Sequence, residues 1–385
     1  EQNEEYKIYT AKTYKECATL LLQEKGDFDI ALLDYNLPDA KNGEIVEFIS
    51  KFNIKSILLT ATTLENNDPV LKHETIVDYV IKDGSHAIEY ATSIVNRIID
   101  NEEVEVLIVD DSKTFAYKMQ ALCEKYNLKT SVRLNGEDGL AALIERPKIK
   151  LVLVDYMMPD MNGLEFTSKL RKRAKKDEIS VIALSGSEDK ELVSKFLKYG
   201  ANDFLYKDFT TEEFFARINS NIEIIQLFDK VRDKATRDYM TGMFNRRYFF
   251  ETGREMYQRA KVREQDLALA MIDIDKFKAI NDEFGHLIGD KVLQVVSKAL
   301  SDSTRDADVI CRMGGDEFIA LVSHKDQVSS NKILKRFSKH LLAEQKKNDL
   351  PTFTISSGFV QVELTKGIDE VIEQADKEML DKKHT

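Results

Sequence analysis

An internal repeat in the first part of the chain restricts its fold more than any other feature. Segments 30–48 (IALLDYNLPDAKNGEIVEF) and 151–166 (LVLVDYMMPDMNGLEF) are near copies. Each is an apolar strand that ends in Asp, followed by Pro-Asp and by a Gly before a helix. A strand with a hydroxyl residue and a strand that ends in lysine follow in both copies. Strands that alternate with helical patterns predict a parallel, doubly wound sheet for each copy.

The second copy has the fuller set of polar residues. Its first strand ends in Asp110 and Asp111, and a later strand ends in Asp155. The carboxyl ends of parallel strands share one edge of the sheet, so three like charges meet there and a Mg²⁺ ion is the natural occupant. Any one of these aspartates taken alone is equally compatible with a loop carboxylate.

Both copies resemble the receiver domains of response regulators. For the second copy, the resemblance implies that a sensor histidine kinase phosphorylates Asp155, with Mg²⁺ held by the three carboxylates. The implied switch residues are Ser185, Phe204 and Lys207. Receivers usually have Pro after this lysine, whereas this chain has Asp208, which leaves a cis bond in the loop and the orientation of the lysine open.

The first copy is incomplete. Segment 5–23 (EYKIYTAKTYKECATLLLQ) predicts the second strand and second helix of a receiver, so the first strand, the first helix and the acidic pair are absent. Asp34, Thr60 and Lys82 are the remaining counterparts, and without the acidic pair we do not expect phosphorylation of Asp34. The copy is either truncated or a non-phosphorylated adaptor. We expect truncation, because a parallel sheet without an inner strand leaves its core open.

A Gly-Gly-Asp-Glu sequence interrupts an apolar run in the last third of the chain. In CRMGGDEFIALV (311–322), strand-forming residues flank Gly314 and Gly315, a pair favoured in two-residue hairpin turns with positive φ. Glycine also lets another molecule approach the backbone closely. The pattern predicts a β-hairpin with Asp316 and Glu317 at its turn. Two solvated acids on a surface turn fit this stretch equally well.

A second stretch adds further carboxylates. LALAMIDIDKFKAINDEFGHLIGD (267–290) begins as an apolar strand that ends with Asp273 and Asp275 on one face. A short helix follows, with Asp275 as its predicted N-cap. Burying a carboxylate is costly without compensation, which a divalent cation shared by Asp273, Asp316 and Glu317 would provide. The alternative is that Asp273 and Asp275 are only caps.

These stretches resemble the GGDEF family of diguanylate cyclases. The resemblance covers residues 236–385 and includes DYMTGMFNRRYF (238–249), DIDKFKAINDEFGHLIGD (273–290) and RMGGDEF (312–318). It implies a palm-like α/β domain, similar to the palm of polymerases and adenylyl cyclases. It also implies a nucleotidyltransferase that joins two GTP molecules into cyclic di-GMP and releases two pyrophosphates.

The resemblance also implies individual roles. The ligands of Mg²⁺ (or Mn²⁺) would be Asp273, the carbonyl of Ile274 and Asp316, because metal ions oppose the charge that builds on the phosphoryl oxygens. Glu317 would be a further ligand or help to take the proton. The implied substrate-binding residues are Phe277 and Lys278 for phosphates, Asn281 and Asp290 for guanine, and Gly314 and Gly315 beside the substrate.

Lys382, in ADKEMLDKK (375–383), matches a phosphate-contacting lysine of the family. The family usually continues into a Gly-Arg-Asn segment, whose arginine also contacts phosphate. This chain ends at Thr385. We therefore expect either a trimmed tail or weaker substrate binding.

An R-x-x-D pattern, Arg305 and Asp308, precedes the hairpin strand. In the family this pair forms the site of inhibition by cyclic di-GMP, and Arg336 lies where a second arginine often contributes. Activity should then fall as product accumulates. The alternative is a surface ion pair, which is the usual meaning of this short pattern.

Segment 214–240 joins the repeat to the cyclase-like region. It has no Pro or Gly and is apolar at helical spacing, at Ile218, Ile222, Ile225 and Phe228. We expect a final receiver helix that continues as a connector, which either pairs with its twin in a homodimer or packs as an ordinary helix. Since the product needs two GTP molecules, phosphorylation of the second receiver would act by bringing two cyclase domains together.

Length and composition set the outer limits. We predict three α/β domains: two flavodoxin-like receiver domains, the first (1–101) incomplete and the second at 102–228, and then a palm-like GGDEF domain at 229–385. A net charge of −11 argues against a nucleic-acid partner. No apolar run approaches a membrane span, no secretory leader is visible, and the three cysteines lack motif spacing, so we expect a cytoplasmic protein.

Three functions remain in competition. The leading one is a diguanylate cyclase activated by phosphorylation. The second is an inactive cyclase domain that senses cyclic di-GMP through Arg305 and Asp308, and the third is an adaptor that acts through receiver contacts alone. The intact GGDEF sequence, Asp273 and Asn281 favour the enzyme.

Overall fold

The computed structural model describes residues 6–64, 68–186, 190–305, 308–323 and 327–383. The chain divides into two compact units, Glu1–Asp229 and Lys230–Thr385. The predicted start of the cyclase domain, residue 229, lies one residue before the start of the second unit. Within the described ranges, no helix is both long and apolar enough to cross a membrane.

The first copy of the repeat forms a three-stranded parallel sheet of order β1-β2-β3. Its elements are α1 (Tyr14–Gln23), β1 (Ile30–Asp34), α2 (Glu44–Ser50), β2 (Lys55–Thr60), β3 (Ile76–Ile81) and α3 (Ser85–Asp100), with 3-10 turns at Pro69–Lys72 and Asn101–Glu103.

The strand predicted before α1 is wrong, because residues 6–13 are not in a strand. In the second copy the equivalent strand pairs only with the first strand of that copy. The described part of the first copy has no such neighbour. The backbone groups of residues 6–13 therefore have no ladder to join.

The second copy forms a five-stranded parallel sheet of order β5-β4-β6-β7-β8, a doubly wound order typical of flavodoxin-like folds. Its elements are β4 (Glu105–Val109), α4 (Lys113–Lys125), β5 (Lys129–Arg133), α5 (Gly136–Glu145), β6 (Ile149–Asp155), α6 (Gly163–Arg171), β7 (Ser180–Ser185), α7 (Lys190–Tyr199), β8 (Asp203–Tyr206) and α8 (Thr211–Thr236). The predicted α/β fold of this copy is confirmed.

The aspartate of the Pro-Asp sequence binds the N-terminus of a helix in both copies. Asp39 accepts hydrogen bonds from the first two backbone N–H groups of α1, at 2.7 and 3.2 Å. Asp160 accepts from the first two N–H groups of α5, at 3.0 and 3.1 Å. The N-terminal N–H groups of a helix have no partner inside the helix, so each aspartate fixes the start of a helix. The strands β1, β2 and β3 thus correspond to β6, β7 and β8.

A shared core joins the two copies. Ile57 of β2, with Ile94 and Ile98 of α3, belongs to the same buried cluster as Val106 of β4 and Met119 of α4. Burial of such side chains provides most of the stabilisation of a fold. The predicted boundary between residues 101 and 102 therefore lies inside one compact unit.

Hydrogen bonds also connect the two copies. The ammonium of Lys55 donates to the carbonyls of Glu124 and Lys125, at 2.6 and 3.2 Å, at the end of α4. The buried amide of Asn101 donates to the carbonyl of Tyr126 at 2.8 Å. Carbonyls at a helix C-terminus lack partners within the helix, so these donors satisfy groups that would otherwise be left unpaired.

The connector predicted in segment 214–240 is helical as far as Thr236, as part of α8. Ile218, Ile222 and Ile225 are buried, whereas Phe228 is 47% exposed. Helical periodicity therefore identified the core face correctly for the first three positions and not for the fourth.

The second unit is built on a five-stranded sheet of order β13-β10-β12-β11-β9. Its elements are β9 (Phe244–Asn245), α9 (Arg246–Tyr248), a π-helical turn (Phe249–Gly253), α10 (Arg254–Arg263), β10 (Leu267–Ile274), α11 (Phe277–Phe284), α12 (His286–Ser301), β11 (Val309–Gly314), β12 (Glu317–Ser323), α13 (Gln327–Lys347), β13 (Ile355–Gln361) and α14 (Ile368–Lys383).

The inner strand β10 is buried along its whole length and pairs antiparallel with both β12 and β13. Its side chains alternate between two cores. Ala270 and Ile272 pack with α12 and α13, whereas Leu269 and Met271 pack with α10 and α14. The same alternation places Asp273 on the side of α14.

Candidate active site

Three carboxylates meet where β10 ends beside the β11–β12 hairpin. Asp273 lies directly across the antiparallel ladder from Glu317, the first residue of β12. Asp316 precedes it in the turn, and its backbone carbonyl accepts from the N–H of Ile274 at 3.3 Å. Asp273 is buried, with 5% of its surface exposed. The structure therefore brings the three predicted carboxylates to one end of the sheet.

The hairpin turn differs by one residue from the prediction. Gly314 pairs with Glu317, so the two-residue loop is Gly315-Asp316 and not Gly314-Gly315. A register shift between Arg312 and Gly314 moves the turn along the chain. Gly314 and Gly315 have φ of 140° and 53°, a region that favours glycine. Asp316 consequently lies in the turn while Glu317 belongs to the strand, a distinction that the alternation pattern alone did not give.

Crowding and burial raise the pKa of two of these carboxyls. For Asp316, burial is the main cause and the charge of Asp273 adds to it. For Glu317, burial acts first and the charges of Asp273 and Asp316 follow. A divalent cation would relieve this repulsion, but among the described residues the acids whose ligand oxygens all lie within 4.8 Å of one another are those of the second copy and not these three.

The backbone adds an oxygen to the same set. The N–H of Asp275 donates to the carbonyl of Thr354, next to β13, at 3.0 Å. In a planar trans peptide, this N–H and the carbonyl of Ile274 point in opposite directions. The carbonyl of Ile274 therefore points away from β13, toward the side on which Asp316 lies. Carboxylate and carbonyl oxygens are ligands that Mg²⁺ accepts.

Asp275 does not act as the helix N-cap that the sequence predicted. The N-cap position of α11 is Lys276, with φ of 56°, and no side chain caps the helix there. The carboxylate of Asp275 instead accepts from the hydroxyls of Thr354 and Ser356. The two hydroxyls lie at the start of β13, and they bind this carboxylate in place of the N-terminal N–H groups of α11.

A lysine that sequence reasoning missed reaches the carboxylates. The ammonium of Lys383 lies 2.5 Å from Asp273 Oδ1, and this hydrogen bond raises the pKa of Lys383. Lys382, the predicted phosphate ligand, donates to the carbonyl of Ser357 at 3.0 Å. The alternation of side chains along β10 places Asp273 on the side of α14. This pattern was the available signal that a residue of α14 reaches Asp273.

We expect the two adjacent lysines to differ in their effect on catalysis. Lys383→Ala should lower kcat/KM for GTP by about 100-fold, the typical effect of losing a donor at a developing charge. Lys382→Ala should cost less than about 10-fold, because its ammonium is held by a strand carbonyl. Steady-state kinetics on both variants checks this, and equal losses would contradict the distinction.

The predicted guanine-binding residues lie on two helices that pack against each other at Gly289. A Cβ on Gly289 would stand 1.9 Å from Asn281 Oδ1, so the amide of Asn281 lies directly against α12 at that glycine. Asp290 is the next residue on α12. Phe277 and Lys278 open α11, where N–H groups lack intrahelical partners and favour phosphate. These four residues thus lie on two consecutive helices joined at Gly285.

The predicted product site is partly assembled. Asp308 accepts from the N–H of Arg305 at 2.9 Å and from the N–H of Ser323 at 3.2 Å. Arg305 is exposed. Arg336, on α13, donates to the carbonyl of Ser303, two residues before Arg305. The structure therefore brings the side chain of Arg336 to the backbone of the segment that carries Arg305, with residues 306 and 307 outside the described ranges.

An arginine of the GGDEF hairpin anchors the turn. The guanidinium of Arg312 donates to Asp238 Oδ1 at 2.8 Å and twice to the carbonyl of Gly315, at 3.0 and 2.7 Å. Asp238 also accepts from the N–H and the hydroxyl of Thr241. The opening motif of this unit thus holds the turn that carries Asp316.

The second copy of the repeat has its own cluster of acids. Asp110, Asp111 and Asp155 each offer a carboxylate oxygen, and these oxygens lie within 4.8 Å of one another. Lys207 donates to Asp110 at 2.7 Å and lies 2.9 Å from Asp155. Burial raises the pKa of Asp155 despite the hydrogen bond from Lys207. This donor set fits Mg²⁺.

The orientation of Lys207 does not depend on a following Pro. Its ammonium lies 4.5 Å from the centre of the Phe115 ring, in addition to its two carboxylate partners. No cis peptide bond occurs in the described part of the loop. Ser185 ends β7, and Phe204 of β8 is buried. Of the predicted switch residues, Lys207 contacts the acids, Ser185 ends the neighbouring strand β7, and Phe204 lies on the edge strand β8.

In the first copy, the counterparts of Asp155 and Lys207 lie close together and are more exposed to solvent. Lys82 lies 2.5 Å from Asp34 Oδ2, and the two side chains are 40% and 38% exposed, against 4% for Asp155. The hydroxyl of Thr60 donates to the carbonyl of Thr62 at 2.8 Å. An exposed ion pair of this kind contributes little to stability.

Comparisons with known proteins agree with this geometry. The family model "Diguanylate cyclase, GGDEF domain" matches residues 235–385, and the "Response regulator receiver domain" model matches residues 106–219. One receiver match is found, so the receiver character of the first copy stays a prediction.

Two curated relatives and one solved structure illustrate what the chain is similar to. Response regulator PleD of Caulobacter vibrioides is 28% identical over 270 residues, which are 68% of this chain and 57% of PleD. Diguanylate cyclase DgcP of Pseudomonas aeruginosa is 35% identical over 167 residues, 42% of this chain and 25% of that protein. A crystal structure of a two-component response regulator/GGDEF domain protein aligns with a TM-score of 0.54 and 33% identity, covering 58% of this chain and 91% of that one.

The chain thus spans little more than half of PleD and a quarter of DgcP. Both of its matched regions nevertheless contain the acids expected of their families, in the arrangement described above. The chain belongs to the GGDEF family and carries a response-regulator receiver domain before its GGDEF domain.

Proposed function

We propose that the chain converts two GTP molecules into cyclic di-GMP and two pyrophosphates under the control of its receiver domain. The observation that carries this proposal is the meeting of Asp273, Asp316 and Glu317 at the hairpin, beside the carbonyl of Ile274. Transfer of a nucleotidyl group from pyrophosphate to a hydroxyl requires carboxylates that can hold metal ions. This set of carboxylates lies at the end of a buried strand.

Each residue of the site has a task in this reaction. Asp273, Asp316 and the Ile274 carbonyl would hold Mg²⁺, which opposes charge on the phosphoryl oxygens when bound. Glu317, whose pKa is raised by burial and by its acidic neighbours, would accept the proton of the attacking 3′-hydroxyl.

The remaining residues orient the nucleotide. The N–H groups of Phe277 and Lys278, together with the ammonium of Lys383, would bind the β- and γ-phosphates. Asn281 and Asp290 would bind the guanine edge, because an acidic acceptor suits its N1 and N2 donors. Such positioning supplies much of the rate of a phosphoryl or nucleotidyl transfer.

Control would begin at Asp155. A phosphoryl group there changes the charge beside Asp110, Asp111 and Lys207, and a receiver responds to such a change by rearranging its surface. On α8, the apolar residues Ile224, Leu227 and Phe228 are 43–54% exposed. This exposed set supports pairing with a second copy of the chain, which would place two GTP-loaded sites together.

We propose that the first copy is a receiver-like segment that serves as a fixed extension of the receiver domain. Its support is the matching helix start at Asp39 and Asp160 and the matching order of three strands. Lys82 lies beside Asp34, whose side chain is more exposed than that of Asp155.

Product inhibition makes a direct prediction. Arg305→Ala should abolish inhibition by cyclic di-GMP and leave initial turnover within about 3-fold of wild type, because Arg305 is exposed and lies outside the hairpin turn that carries the carboxylates. Progress curves at rising product concentration measure it. Lys298→Ala, an exposed cation on α12, is the matched control and should keep inhibition. Unchanged inhibition in Arg305→Ala would contradict the proposed site of product inhibition.

The activity itself is tested with the purified chain, GTP and Mg²⁺. Mass spectrometry should find cyclic di-GMP, with two pyrophosphates released for each product molecule, and chelation of Mg²⁺ should stop the reaction. Release of phosphate without cyclic di-GMP would contradict the proposed reaction.

A further inference from the structure

Asp275 joins two segments of the candidate active site. Its carboxylate accepts from the hydroxyl of Thr354 at 2.5 Å and from the hydroxyl of Ser356 at 2.6 Å. Its own N–H donates to the carbonyl of Thr354 at 3.0 Å. Three hydrogen bonds therefore connect the residue after β10 to the start of β13.

The joined segment contains groups that the proposed reaction uses. Immediately before Asp275 is the Ile274 carbonyl, whose direction is set by the hydrogen bond between the Asp275 N–H and Thr354. Immediately after it, Lys276 has φ of 56° and ψ of 32°, a conformation that L residues adopt rarely and that needs support from its surroundings. The next residue, Phe277, begins α11.

The register of the sheet makes the connection short. Ser356 pairs with Asp273 across the β10–β13 ladder, and Ser356 is buried. Its hydroxyl is thus beside the strand that carries the metal-binding carboxylate. Both oxygens of Asp275 accept from hydroxyls at the start of β13, and its charge also acts on Lys383, the partner of Asp273.

We propose that Asp275, Thr354 and Ser356 form a clamp that positions the Ile274 carbonyl and the phosphate-binding start of α11. Asp275 is a positioning residue for the reaction and not a metal ligand. Its hydroxyl partners hold the turn at Lys276, and the turn sets where the N–H groups of α11 point. This inference rests on the proposed function, because it assigns the clamp to the same substrate site.

The test is a double-mutant cycle in the full chain. The variants are Asp275→Ala, the pair Thr354→Val with Ser356→Ala, and all three changes together. Thr352→Val is the matched control, since it removes a hydroxyl from the same loop at an exposed position. Thermal unfolding of every variant shows whether the fold persists.

The kinetic result should be non-additive. Asp275→Ala should lower kcat/KM for GTP by about 10- to 100-fold, as the loss of an orienting partner usually does. The hydroxyl pair should give a similar loss, and the triple variant should be no worse than Asp275→Ala. The Mg²⁺ concentration for half-maximal turnover should shift in parallel in all three. A far larger loss in Asp275→Ala than in the hydroxyl pair would show that Asp275 binds the metal or substrate directly, and would overturn the clamp.

A second readout does not depend on turnover. Hydrogen exchange in peptides covering residues 273–281 reports the amides of Ile274, Asp275 and Ile280, each of which donates a backbone hydrogen bond in this turn. Exchange should be faster in Asp275→Ala and in the hydroxyl pair, to the same degree, and unchanged in Thr352→Val. Unchanged exchange in Asp275→Ala would refute the clamp. A wild-type chain that makes no cyclic di-GMP would refute the proposed function and leave this exchange test intact.

Discussion

Replacing Asp316 with Asn and Glu317 with Gln together will reduce GTP turnover by at least about 1,000-fold, because the pair supplies a metal ligand and the proton acceptor. Both changes are close to isosteric, and they remove two charges that are unfavourable in this place, because burial first and the charge of Asp273 second raise the pKa of both carboxyls. The fold should therefore remain as stable as wild type or become more stable. Discontinuous turnover assays and thermal unfolding measure the two effects.

The same double variant separates the three competing functions. Binding of cyclic di-GMP through Arg305 and Asp308 should persist, since these residues lie outside the turn. Glu283→Gln, an exposed acid on α11, is the matched control and should keep turnover. Residual turnover near wild type would refute the assignment of the hairpin carboxylates, and absence of turnover in the wild type would favour a receptor or an adaptor.

Replacing Asp155 with Asn will remove activation by a phosphodonor. The wild type should gain between roughly 5- and 150-fold in turnover on phosphorylation, the usual range of coupling between two sites. Asp155→Asn should gain nothing, because it lacks the oxygen that accepts the phosphoryl group beside Asp110 and Asp111. Turnover with a small-molecule phosphodonor and Mg²⁺ measures this.

The repeat provides the matched control within the same chain. Asp34→Asn changes the counterpart in the first copy, where Lys82 is the partner and the carboxylate is 38% exposed. It should be activated as fully as wild type. Loss of activation in Asp34→Asn, with activation retained in Asp155→Asn, would reverse the proposed roles of the two copies.

Much of the fold was predictable because its signals are local. The repeat of strand, Asp, Pro-Asp and Gly predicts parallel strands, and the second copy forms them in doubly wound order. The strand predicted before α1 failed for a nonlocal reason. A strand forms only if a neighbour supplies its ladder, and sequence propensity in residues 6–13 does not report the absence of that neighbour.

In the candidate site too, local sequence signals predicted some features, whereas others depend on structure that the sequence pattern does not report. The carboxylates Asp273, Asp316 and Glu317 were found from the motif and its spacing, and the structure brings them together. Their exact relation depends on the bulge after Arg312, which moves the turn to Gly315-Asp316. A one-residue shift of this kind reverses the face of a side chain, so period-2 reasoning could not resolve it.

Two side chains needed tertiary information. Asp275 looked like a helix cap because it precedes α11, but the hydroxyls of Thr354 and Ser356 come from a strand about 80 positions later. Lys382 matched a family lysine, whereas the structure directs Lys383 to Asp273. Adjacent positions on a helix differ by about 100° in direction, so an error of one residue changes the partner.

Turnover of GTP with Mg²⁺, followed as cyclic di-GMP with and without beryllofluoride as a phosphoryl mimic, tests the proposed enzyme and its control in one preparation. We expect product in both conditions and a higher rate with the mimic. No cyclic di-GMP in either condition, from a folded chain that still binds Mg²⁺, would contradict the assignment of a diguanylate cyclase active site at the hairpin.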